Sequence, residues 1–111
     1  MADSIDPEKL PEPPDPATFA GRQRLSIAQK LIAYGKVLQD MHAMALDDLL
    51  VVTADEETFT AEERRWIESL IEGFRRAAFV AQGAGVRMTG TEYRPPASLE
   101  EPPAERPAGG T

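Results

Sequence analysis

The chain contains no cysteine. That excludes disulfide staples, thiolate catalysis, sulfur-ligated zinc and iron–sulfur clusters, and it suits a reducing cytoplasm. The one histidine, His42, falls far short of a metal site. No apolar run approaches the roughly 20 residues of a membrane-spanning helix; Leu49–Val52, for one, is far too short. Met1–Glu8 has neither the basic nor the apolar region of a secretory signal, so a cytoplasmic location is expected.

Catalytic patterns are missing as well. There is no Gly-x-Ser-x-Gly, and no glycine loop between a strand and a helix to hold phosphate. The connector acids Asp55-Glu56-Glu57 lack the glycine and ligand spacing of a calcium loop. No Glu-x-x-His pair is present for a carboxylate-bridged metal pair. The expectation is a protein that is not an enzyme and uses no metal, cofactor or small-molecule substrate.

What is present is 111 residues with a formal net charge of −7, enough for one domain. Met1–Pro16 holds five prolines and five acids, and Pro95–Thr111 holds five more prolines. Such stretches bury too little apolar surface to offset the entropy of ordering the backbone. The division expected is a disordered acidic tail over 1–16, a helical domain over 17–85, and an extended or disordered tail over 86–111. Pro11–Pro14 and Pro13–Pro16 have polyproline spacing, but acidic flanks make them stiff spacers rather than ligands.

The central residues carry a 3.6-residue apolar period. A first helix is expected from about Asp15-Pro16 to Val52, with Gly21 able to delay its start to Leu25. Its apolar face gathers Ala28, Leu31, Gly35, Leu38, His42, Leu46 and Leu49. With its flanks, that face is nearly 180° wide, well above the roughly 100° a helix needs against one neighbour. A second helix is expected from about Ala61 to Gln82. Thr60-Ala-Glu-Glu63 is a capping box at its start, and Gly83-Ala-Gly85 serves as its stop. Trp66, Ile67, Leu70, Ile71, Phe74, Ala77, Ala78 and Ala81 make its apolar stripe. The short connector Thr53–Phe59 makes the two helices antiparallel neighbours.

The fold expected is therefore all-α: an antiparallel two-helix hairpin with proline-rich tails. The first helix offers more apolar surface than the second can cover. Dimerisation into a four-helix bundle would cover it, as would a larger protein partner. Leu31, Gly35, Leu38, His42, Leu46 and Leu49 are the candidate partner-binding residues. Phe79 joins them because it lies far from the second helix's stripe, among arginines. Protonation of His42 within a packed seam would weaken association. The function expected is a non-catalytic helical interaction module, acting as a homodimer or as a small accessory subunit. The alternative is an acidic dimeric regulator touching nucleic acid through Arg64, Arg65, Arg75 and Arg76. The interleaved Glu62, Glu63, Glu68 and Glu72 argue against it.

Overall fold

The computed structural model describes residues 10–100. Two helices dominate them: α1 spans Phe19–Ala54 and α2 spans Ala61–Met88, followed by a 3-10 turn at Ala97–Leu99. The described residues are all-helical and contain no strand. The expected tail residues 1–9 and 101–111 lie outside the described range. No described helix is long and apolar enough to cross a membrane.

The start of α1 is set three residues beyond the expected Asp15. Thr18 is the cap, and its hydroxyl accepts from the Gly21 amide at 2.9 Å. Asp15 instead closes the preceding turn, accepting from the Ala17 and Thr18 amides. Gly21 therefore sits inside the first turn and does not delay it. At α2 the capping box forms as expected: the Glu63 amide donates to Thr60 at 3.0 Å, and the Thr60 amide donates to Glu63 at 2.9 Å.

The end of α2 corrects the expected stop at Gly83. The helix runs through Gly83 and Gly85 to Met88, and Thr89 caps it. Glycine weakens a helix by only about 1 kcal/mol relative to alanine, which tertiary contact readily offsets. Both glycines make such contacts. A Cβ on Gly83 would stand 3.0 Å from the Tyr93 ring, and one on Gly85 would stand 2.6 Å from the Ala28 carbonyl oxygen. The residue that turns the chain is Gly90, with φ +83°, a conformation L side chains avoid.

The helices meet along small residues. Gly21, Ala28, Gly35 and His42 recur every seven positions on α1 and are all buried, as are Ala45 and Val52. Ala78 and Gly85 continue that spacing on α2 and are buried too. Gly35 faces Ala78 and Gln82, whereas Ala28 faces Gly85, so residue numbers rise on one helix as they fall on the other. A Cβ on Gly35 would approach the Gln82 amide nitrogen to 2.8 Å. Around Ala28, Gly35, Ala78 and Gly85 the backbones therefore approach closely, whereas His42 and Val52 fill the seam toward the turn.

After α2 the chain doubles back as an arm, Thr89–Glu100. Leu99, within the segment expected to be a tail, is fully buried and docks on α2. Pro11 and Pro13 lie beside Gly90, so the chain segments before α1 and after α2 meet at the end of the hairpin away from the connector.

Candidate functional site

The seam divides the hairpin into two faces. At 100° per residue, Ile27, Tyr34 and Met41 lie about 100° to one side of the α1 seam residues. Ile32, Gln39 and Leu46 lie to the other side. On α2, Leu70 and Ala77 take the first side; Gln82, Arg75 and Phe79 take the second. In an antiparallel pair, flanks reached by the same sense of rotation look out on the same side. The hydrogen bond from Gln82 Nε2 to Gln39 Oε1, 2.8 Å, joins second-side residues and fixes that assignment.

The second side is strapped by the arm. Tyr93 donates its hydroxyl to Gln82 Oε1 at 2.9 Å, extending the Gln39–Gln82 bond into a relay from α1 through α2 to the arm. Its ring meets Phe79 edge to face, with centroids 5.6 Å apart. Burial pushes the Tyr93 phenol above its ordinary 10.0, which keeps the hydroxyl as donor through the neutral range. Farther along, Arg75 donates through Nη1 to the Leu99 carbonyl at 2.9 Å. The same guanidinium grips Glu72, with Nε at 2.9 Å and Nη2 at 2.6 Å. The Arg75 hydrogen bonds hold the Glu72 carboxyl at about 2, well below the usual range; partial burial opposes the shift and the Arg75 and Arg76 charges reinforce it.

The first side has no such cover among the described residues. Trp66 is 62% exposed, Tyr34 56%, Leu70 51% and Ile27 47%. Leu31, Leu38, Ile67 and Phe74 border the seam beneath them and are half-buried. Met41 extends this surface, and Val37, Met44 and Val51 carry it around the outside of α1, all exposed. The apolar surface is therefore continuous over both helices, which a lone soluble hairpin seldom tolerates.

The candidate partner-binding residues scatter over this frame. Gly35 and His42 are buried inside the seam, His42 at 5% exposure, so they hold the hairpin itself together. Leu49 is half-buried at the turn end of the same line. Leu31 and Leu38 border the open face. Leu46 is exposed on the strapped side, toward the turn from the last described arm contact at Arg75. Phe79 packs on Tyr93 and belongs to the strap. Tyr34, Met41, Trp66 and Leu70 are the open-face residues that face-width reasoning alone does not single out; the seven-residue recurrence of Gly and Ala is the signal that points to them. Of the helix α2 arginines, Arg75 is buried in the strap and Arg76 pairs with Glu72 at 3.3 Å. The four do not form one exposed basic surface.

The chain matches no family model, no curated protein and no solved structure.

Proposed function

We propose that this protein is a non-catalytic helical interaction module that docks through the open face of its hairpin. The observation that carries the reading is the contrast between the faces. Among the described residues, the C-terminal arm covers one flank, and Ile27, Tyr34, Met41, Trp66 and Leu70 stay exposed on the other. Burying such a surface yields about 25 cal/mol per Å², and the rigid seam presents it already formed. The partner is a second copy, completing a four-helix bundle, or a helical surface of a larger assembly in which the chain serves as accessory subunit. The module is proposed to act in the cytoplasm, where a cysteine-free interface needs no protection from redox chemistry.

Site-specific photo-crosslinking in the protein's own cells tests this. A benzoylphenylalanine at Tyr34 or Leu70 is expected to give one discrete adduct. The same group at Thr53, at the turn end, is the control. Adducts equally strong from Thr53, or none from Tyr34 and Leu70, would contradict docking through the open face.

A further inference from the structure

The charges of the hairpin are segregated along its length. From Phe19 to Gln39 every charged side chain is basic, and so is every one from Gly73 to Met88. From Asp40 to Glu57 there is no lysine or arginine. The seam register, with Ala28 on Gly85 and Gly35 on Gln82, lays the two basic stretches side by side. The helices are therefore basic at one end of the hairpin, although Glu12, Asp15 and Glu92 of the flanking segments lie at that end too. The turn end, with Asp47, Asp48, Asp55, Glu56 and Glu57, is acidic despite Arg64 and Arg65.

Within one chain this arrangement suits α2, whose first turn carries Glu62 and Glu63 and whose last turn carries Arg87, but it does not suit α1. The macrodipole of α1 favours acids at its N-terminus and bases at its C-terminus, yet its first turn has no acid and its last turn no base. Across the seam, like charge lies beside like charge at the basic end, whereas at the turn end Arg64 and Arg65 offset part of the acid excess. An isolated hairpin thus carries repulsion along α1 and between α1 and α2. A partner of opposite polarity relieves it at both ends at once.

The chain itself has that polarity when reversed. We infer that the open face receives a second copy of this chain, turned end for end about a two-fold axis near Leu38 and Phe74. This rests on the docking reading above and names its occupant. Arg24 and Lys30 of one copy then stand over the Asp48 end of the other, and the converse holds by symmetry. The size fits. Ile27 to Val51 spans about 36 Å, and two helices side by side are about 20 Å wide. That is about 700 Å² per copy, close to the roughly 800 Å² of a standard stable interface. The same rotation lays α1 on α1 and α2 on α2, so Tyr34 of one copy meets the Met41 region of the other, and Leu70 meets the Ala77 region.

The test is sedimentation velocity on the full-length chain at micromolar concentration, with three charge variants. The wild type is expected as a dimer that salt weakens, because the facing ends attract. Arg24→Glu with Lys30→Glu, and separately Asp48→Lys with Glu56→Lys, each raise the dissociation constant about tenfold or more. All four changes in one chain restore it to near the wild-type value, since the polarity is merely inverted. Circular dichroism checks that each variant keeps its helices; these residues are exposed, and both reversals suit the α1 dipole. Two single-cysteine chains read the orientation. Leu38→Cys, at the axis, oxidises to a linked dimer; Thr58→Cys, at the turn, does not. A dimer that salt strengthens, or that Thr58→Cys locks, overturns the end-for-end arrangement. A monomer at every concentration overturns the second copy. If a crosslinker at Tyr34 then captures a different protein, docking through the open face survives; if it captures nothing, both inferences fall.

Discussion

The two flanks of this hairpin differ both in make-up and in finish. On the strapped flank, an aromatic (Phe79), an amide (Gln82) and a guanidinium (Arg75) each receive a partner from the arm: the Tyr93 ring, the Tyr93 hydroxyl and the Leu99 carbonyl. On the open flank, Tyr34, Trp66 and Leu70 receive none among the described residues and stay more than half exposed. A long helix pair too thin to bury both flanks can cover one with its own chain. The other is left for something else. The difference teaches that exposure is selective along the stretch the arm reaches; toward the turn, Leu46 and Leu50 stay exposed on the strapped flank as well.

The comparison can be broken most severely at the seam, on which both flanks depend. Gly35→Leu drives side-chain atoms into the Gln82 and Ala78 backbone. It is expected to cost about 3 kcal/mol or more, above ordinary overpacking because backbone rather than a flexible side chain must move. A thermal melt followed by circular dichroism reads the loss. Leu99→Ala strikes the strapped flank alone. Removing a fully buried leucine side chain costs about 2–3 kcal/mol, and hydrogen exchange is expected to quicken in the arm while the α1 seam amides stay protected. Tyr93→Phe deletes one hydrogen bond to a part-buried Gln82 and costs about 1 kcal/mol.

Acid should loosen the strap before the hairpin. Glu72 titrates near 2 in the folded chain against an ordinary value of 4.5. Its contribution is therefore complete above about 4.5 and is lost as pH falls toward about 2. The side chain is 43% exposed, so solvent screening limits the effect to less than about 1 kcal/mol. Glu72→Gln removes this portion of the acid dependence of chemical-denaturation midpoints. The smallest expected effect on the fold comes from the open flank. Leu70→Asp changes the stability of the isolated chain by about 0.5 kcal/mol or less, yet it abolishes docking. That dissociation of stability from association is what the strapped flank cannot show.

Much of the architecture is legible in the sequence, for identifiable reasons. Thr60 and Glu63 announce the start of α2 because a capping box is a purely local device. The 3.6-residue period announces both helices, and the short connector makes them antiparallel. The seam is harder. Periodicity places Leu31, Leu38 and Leu46 on a common arc with Gly35 and His42, and size suggests that the leucines mark the contact. The backbones instead meet at Ala28, Gly35, Ala78 and Gly85, which pushes Leu31 and Leu38 to the border and Leu46 outside. Gly83 and Gly85 resemble a helix stop by propensity, but tertiary contacts with Tyr93 and Ala28 hold them helical. Leu99 lies in a proline-rich stretch whose average composition conceals one well-placed anchor. The charge segregation is visible in the sequence, but it becomes a polarity only once residues 19–39 and 73–88 are known to lie side by side.

The single tryptophan offers the most direct trial of the account. Trp66 is 62% exposed on the open face, so acrylamide quenching of its fluorescence reports whether that face is covered. In the full-length protein, quenching should be nearly unhindered at high dilution and fall severalfold as concentration rises, while Leu70→Asp keeps it unhindered throughout. Equal quenching of the wild type from the most dilute to the most concentrated sample, with the chain remaining monomeric, would contradict a face kept open for a second copy.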